Sequence, residues 1–394
     1  MKQRDIKHER RLKKLALTCL LLAVVLTVGT YAWFIGMQTV YIDAFEVKIA
    51  AVDDLALSID GQSWDTTLTI NEAALADNDY AKKTYSWTSL KPVSTIGEIS
   101  STTSKLVMFD KGSLTASDGG YRLMSALVQN KATTSDSAGE EDGYVAFDLF
   151  IKNMSGDEYY SDITDPSNEE GIYLATDSKV YTEDSGTTAS GIENSVRIAF
   201  AQIGRVEIGT AVETIQGISC ADGNGVTSIC EDRLATIYEP NDKKHVQSAI
   251  TWYEKTCKTR NDDKSFTTTP CTTFGLTDAV DTYVVSGEID ENALVDVYDG
   301  LNGYTGSVGT SAAANTLVKV DTFTDTEKEK TGIERPEFFY LAPNSITKVR
   351  VYVYLEGQDV DNYDFASLGT SIFAQFGFTK ERFNGDEILP TEGN

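Results

Sequence analysis

The sequence predicts an all-β sandwich. Short segments of alternating or β-branched apolar residues recur along the chain, clusters of Gly, Asn, Asp, Ser and Thr separate them, and long helical patterns are scarce in a chain with seven prolines. At 394 residues, 41% of them hydrophobic, the chain has ample material for a sizeable core.

The segments 44-AFEVKIAAV-52 and 55-LALSI-59 open the series of strands. Residues 66–84 and 130–142 read as surface excursions, the second almost wholly polar, with 121-YRLMSALVQ-129 between them. Then come 144-YVAFDLFIKN-153, 172-IYLATDSKVY-181 and 195-SVRIAFAQI-203. Residues 207–330 depart from the pattern: they hold four cysteines, several Gly/Asp/Thr loops, a further strand at 283-YVVSGEI-289 and a short helix around 242-DKKHVQSAITWYEK-255. Pro240 precedes that helix, and Asn241 or Asp242 is its N-cap. This region is expected to be an insertion or subdomain. Strands resume at 338-FFYLAP-343 and close with 348-KVRVYVYLEG-357 and 371-SIFAQFGFT-379. In 349-VRVYVYL-355, Val349, Val351, Val353 and Leu355 share one face while Arg350, Tyr352 and Tyr354 share the other, the period-two pattern of a half-buried strand. The expected organisation is a leader at 1–32, the first part of the sandwich at 33–206, the insertion at 207–330, and closing strands with a C-terminal tail at 331–394.

Charge is distributed unevenly. Residues 1–14 carry seven Lys/Arg against Asp5 and Glu9, a local +5, which leaves −31 for the remainder of a chain whose total is −26. So acidic a body repels nucleic acid, which is excluded as a partner. The basic start runs into 15-LALTCLLLAVVLTVGTYAWFIGM-37, which has no charged side chain. A positive region, an apolar region and Thr30-Tyr31-Ala32 match a signal peptide cut between Ala32 and Trp33. The competing reading is a retained membrane anchor, since about 20 apolar residues span a bilayer. Both readings place the body outside the cell. An exported chain with Cys220, Cys230, Cys257 and Cys271 favours two disulfides, and pairing 220–230 and 257–271 is the most economical arrangement. A zinc site is the rival, but the cysteines lack paired C-x-x-C knuckles.

Few residues offer catalysis. Histidine occurs only as His8 and His245, so an H-E-x-x-H zinc site is excluded and a Ser-His-Asp triad would rest on His245 alone, which reads as a partly exposed helix residue. The ionic candidate is calcium in 356-EGQDVDNYD-364, where Glu356, Asp359, Asp361 and Asp364 bring hard oxygen ligands into one loop; the alternative is a solvated acidic turn. The stretch 222-DGNGVTSIC-230 begins like a calcium loop but has Val226 at a ligand position. The C-terminal 389-LPTEG-393 fails as a sortase signal because Glu392 stands where Thr is needed, and Asn153-Met154-Ser155 is a glycosylation sequon.

Gly29-Thr30-Tyr31-Ala32-Trp33-Phe34, followed within about a dozen residues by an apolar strand, resembles the signal-peptide end of the TasA/camelysin family of exported Gram-positive matrix and surface proteins. The strand pair 144-YVAFDLFIKN-153 and 194-NSVRIAF-200 and the closing 351-VYVYLEGQDVDNYD-364 with 371-SIFAQFGF-378 are similar to exported proteins of the same broad group. The resemblance implies a jelly-roll-like β-sandwich, here with a disulfide-containing insertion. It also implies processing by a dedicated signal peptidase, and a matrix fibre in which the strand freed by cleavage adds to a neighbouring copy. Carried onto this chain, the donor comprises Trp33, Phe34, Ile35, Val40 and Ile42. That stretch is apolar, uncharged and β-prone, so strand addition satisfies its backbone and side chains together; folding back as the first strand of its own domain does the same. The expected function is therefore that of a non-enzymatic, extracellular structural protein whose partners are further copies of itself and other matrix or cell-surface components. The alternatives are a membrane-tethered adhesive monomer and a secreted hydrolase working through acidic residues.

Overall fold

A computed structural model describes residues 45–51, 54–95, 97–110, 113–117, 120–124, 140–182, 191–230, 232–239, 245–256, 258–260, 266–268, 282–286, 298–299, 316–320, 337–357, 359, 361–362 and 371–380. Fifteen strands among them build two packed sheets, the β-sandwich expected from the sequence. Sheet one runs β3 (Thr67–Ile70), β1 (Phe45–Ala51), β15 (Ile372–Thr379), β8 (Glu170–Leu174) and β13 (Phe339–Leu341). The expected strand 172–181 is broken by a turn closed by the Ser178 N–H on the Ala175 carbonyl. Its second half, β9 (Lys179–Thr182), continues along the same edge of β15.

Three long antiparallel strands form the middle of sheet two: β7 (Val145–Asn153), β14 (Ser345–Glu356) and β10 (Val196–Glu207). Short strands finish its edges. The pair β2 (Leu55–Ser58) and β4 (Tyr85–Ser86) lies on β7; β5 (Pro92–Ser94) extends the β7 side of β14 and carries β6 (Phe109–Asp110); and β11 (Thr227–Ser228) and β12 (Thr236–Tyr238) lie on β10. A bulge between Gln202 and Gly204 shifts the β10 register. A Cβ on Gly204 would meet the Thr227 carbonyl oxygen at 2.9 Å, so glycine lets β11 close on the strand there. Residues 208–239 thus continue directly into sheet two. Short ladders at Ser113–Ser117 with Gly120–Met124, which also pairs with Tyr298–Asp299, Lys258–Arg260 with Phe266–Thr268 and Thr282–Ser286 with Thr316–Val320 complete the described strands.

Between the sheets, Val349, Val351, Val353 and Leu355 of β14 pack with Phe147, Leu149 and Ile151 of β7 against Val47, Ile49, Phe376 and Phe378 of sheet one. Phe200 meets Phe338 and Phe376 edge-on, each at 5.1 Å between ring centres. This inner face follows the alternation read in the sequence.

The opposite face departs from the half-buried expectation. Lys348, Arg350, Tyr352 and Tyr354 are as inaccessible as the valines between them. Their polar atoms carry a second layer. Arg350 Nε donates to Asp148 Oδ1 at 3.0 Å, and its Nη2 donates to the Lys82 carbonyl at 2.8 Å. Lys348 Nζ reaches Asp148 Oδ2 at 3.1 Å and the carbonyls of Lys82 and Gln216 at 3.0 and 3.2 Å. Tyr352 Oη accepts the Leu106 N–H at 3.1 Å and donates to Glu140. The segment 66–84, expected as a surface excursion, supplies β3, the helix α1 (Glu72–Ala76) capped by Asn71, and part of this cover. Of 130–142, only 140–142 are described, and Glu140 is buried there.

Burial by itself pushes the Asp148 carboxyl up, but Lys348 and Arg350 outweigh it and hold the group below its ordinary value. Its contribution to stability is therefore present above the unfolded value of about 3.9 and is lost as pH falls through the lower folded one. Asp148→Asn should cost about 3–5 kcal/mol in urea unfolding by stranding two buried cations, and should remove this limb of the acid titration. A loss below about 1 kcal/mol would show that the cover is held otherwise.

Candidate functional site

The acidic loop after β14 is the strongest convergence of functional side chains recognised in the sequence. Four chain segments meet there: residues 191–197 entering β10, Glu239 following β12, His245 and Val246 leading into α2 (Gln247–Thr256), and Glu356, Asp359, Asp361 and Asn362 after β14. The expected helix forms, but His245 precedes it and is not helical; the residue is partly exposed as predicted, with its side chain 7% exposed.

Asp361 is the hub of the meeting. Its Oδ2 accepts from His245 Nδ1 at 3.0 Å and from Asn194 Nδ2 at 3.1 Å, while Oδ1 accepts the Val246 N–H at 3.1 Å. Gly191, with φ of 79°, leaves the space: a Cβ there would lie 2.8 Å from Val246 and 3.0 Å from Asp361 Oδ1. Asp359 Oδ1 accepts the Asp361 N–H at 2.8 Å, and its Oδ2 lies 2.7 Å from Arg197 Nη2, which also binds Glu239. Arg197 Nη1 donates to the Asn194 carbonyl at 2.8 Å. Glu356 turns away to Ser94, whose hydroxyl donates at 2.5 Å.

Burial would lower the Arg197 value, but Asp359 and Glu239 hold it firmly protonated. Burial pushes the Asp359 carboxyl up, and Arg197 only partly offsets it. For His245, burial acts downward and the Asp361 and Asp359 carboxylates more than reverse it. The arrangement is thus an excess of buried carboxylates gathered around one permanent cation.

Of the four residues expected to hold calcium, the structure brings Asp359 and Asp361 together, turns Glu356 aside, and leaves Asp364 outside the described residues. Ligand atoms of His245, Asp359 and Asp361 all lie within 4.8 Å of one another. Calcium takes about six to eight oxygens. Here two carboxylates are engaged by Arg197, Asn194 and backbone N–H groups, and the third donor is an imidazole nitrogen, so the described donor set does not fit that ion. Nor do these carboxylates face a substrate, because the side chains of Asp359 and Asp361 have no exposed surface.

Sequence reasoning missed Arg197, Glu239 and Asn194. The available signal was an arginine inside the apolar run 195-SVRIAFAQI-203, since a charge there needs a buried partner. Of the four cysteines in 207–330, Cys220 and Cys230 form a disulfide with Cα atoms 5.5 Å apart, whereas Cys257 and Cys271 lie outside the described residues. So do Ala32 and Trp33 at the expected cleavage point and the donor residues Phe34, Ile35, Val40 and Ile42. Among the described residues, no helix is long and apolar enough to cross a membrane.

No family model, curated protein or solved structure matches the chain.

Arg197→Met should destabilise the protein by about 3–5 kcal/mol, because it leaves Asp359 and Glu239 without their cation. A calcium chelator should leave the melting temperature of the unmodified protein unchanged. A chelator-induced fall would show that an ion, not Arg197, holds the loop.

Proposed function

We propose that this chain is an exported, non-enzymatic structural protein that assembles outside the cell through the segment 33–42. The observation that carries the reading is the position of β1. It begins at Phe45, three residues after Ile42, and is held on both edges, by seven parallel pairs to β15 and by antiparallel pairs to β3. The described part of sheet one thus holds β1 between β15 and β3. An apolar, uncharged segment joined to so firmly held a strand gains by finding a sheet edge on another copy. The Cys220–Cys230 disulfide fits an oxidising compartment, and the −31 charge beyond residue 14 fits a body that stays dispersed until a specific contact joins it. A basic leader followed by an uncharged apolar run supplies the route out of the cell.

The test combines N-terminal sequencing with electron microscopy of the exported protein. A chain starting at Trp33 should form filaments. The same chain lacking 33–42 should remain a monomer with an unaltered melting temperature, since β1 is intact. Filaments that persist after the deletion would overturn assembly through this segment, and an exported chain that retains Met1 would make the protein a tethered surface molecule.

A further inference from the structure

At the end of the sandwich away from the acidic loop, three side chains from separate strand ends meet. Asn153 closes β7, Glu170 opens β8, and Lys380 follows β15. Asn153 has no exposed surface, which also removes its sequon from use in the folded protein. Lys380 Nζ lies 2.8 Å from Asn153 Oδ1. Glu170 Oε2 touches both partners, 2.9 Å from Lys380 Nζ and 2.7 Å from Asn153 Nδ2. The amide orientation is fixed by its neighbours: Nδ2 also faces the Ala342 carbonyl at 3.1 Å, and Oδ1 also faces the Ser155 N–H and hydroxyl at 3.3 and 2.9 Å.

We propose that Lys380 and Asn153 are joined by an intramolecular amide bond between Nζ and Cγ, formed with loss of ammonia and with Glu170 as the proton carrier. Each role has its atom in place. Glu170 takes a proton from the Lys380 ammonium, leaving a neutral amine whose nitrogen lies 2.8 Å from the oxygen of the carbonyl it attacks. Attack places negative charge on Oδ1, where the Ser155 N–H donates; the Ser155 hydroxyl, with one proton, lies 2.6 Å from Glu170 Oε2 and 2.9 Å from Oδ1 and serves one of them at a time. A proton passes from the new C–N nitrogen through Glu170 to Nδ2, the Cγ–Nδ2 bond breaks, and ammonia departs. The remaining proton leaves Glu170 for solvent. One C–N bond replaces another, and no oxidant, metal or second substrate enters.

Glu170 is present as the carboxylate the first step needs, although the contacts that hold its value down also weaken it as a base. Burial pushes Glu170 up, but its contacts with Ser155, Asn153 and Lys380 outweigh that and keep it ionised. Its side chain is 37% exposed, which gives ammonia and the proton a way out. Among the described residues, the fully buried pair Lys348 and Asp148 contrasts with it. Lys348 donates to Asp148, Lys82 and Gln216, and Arg350 fixes Asp148 as a carboxylate, so neither partner is disposed to condense. The Lys380–Asn153 bond would tie sheet one to sheet two across 227 residues of chain.

Intact mass spectrometry of the reduced full chain, followed by tryptic digestion, tests the proposal. The expected mass is one ammonia below that of the sequence, with a branched peptide linking the segments around Asn153 and Lys380 and no cleavage after Lys380. Lys380→Arg and Glu170→Gln, checked for native circular dichroism, should restore the full mass. Conversion of an asparagine to a succinimide also releases ammonia, but it yields no branched peptide and would persist in Lys380→Arg. A folded wild-type chain of full mass, a deficit that survives Lys380→Arg, or a bond that still forms completely in folded Glu170→Gln would each overturn the proposal.

Discussion

The contact on which the outer layer depends is Asp148 between Lys348 and Arg350. A sandwich strand ordinarily spends one face on the core and leaves the other to water. Here β14 has neither face in water, and the charges it carries outward have become the attachment points for loops from residues 82, 103–106 and 216. The energetic logic is asymmetric. Forming such a buried cluster gains little over an apolar equivalent, but breaking one member strands the others without solvent, so the loops must stay closed once docked. A second apolar cluster, including Tyr144, Phe150, Ile218 and Ile237, grows over the same face, and the disulfide clips part of that cover.

Much of the sandwich was legible because period-two alternation is a local property. The inner face of β14, the break-free apolar runs of β7 and β10, and the final strand β15 all appear where the alternation places them. What alternation does not tell is whether the polar face meets solvent or other protein. Arg350 and Lys348 look the same in either case. The clue was complementary: 144-YVAFDLFIKN-153 carries an aspartate within an apolar run, opposite in sign to the cations of 348-KVRVYVYL-355. Register places Arg350 directly across from Asp148, but register joins residues 202 apart in the chain, which no local pattern shows.

The acidic loop was harder to read for the same reason. Its carboxylates were visible in the sequence, and carboxylates in a loop suggest a metal ion by composition alone. The cation that answers them comes from residue 197, more than 150 residues earlier in the chain. His245 and Asn194 arrive from two further segments. A guanidinium suits this task better than a hydrated ion when the geometry is fixed, since its planar donors reach Asp359, Glu239 and a backbone carbonyl at once. The loop is best understood as a fastening at the end of sheet two, and its acidity as the counterpart of a buried arginine.

The pairing of β1 with β15 bears on the proposed structural role through mechanics. The two strands are parallel and in register from Phe45 beside Ile372 to Ala51 beside Phe378. A chain pulled from its N-terminal side at residue 45 and restrained beyond residue 380 would load these hydrogen bonds in shear, all together, instead of peeling them singly. Antiparallel neighbours joined by a hairpin would unzip under the same geometry. Resistance then passes through β1 to the phenylalanine-rich interior of the sandwich, and the Asn153–Glu170–Lys380 contacts restrain β15 at its far end. A fold that places its first and last sandwich strands side by side, parallel and buried is suited to transmit tension through the body of a subunit.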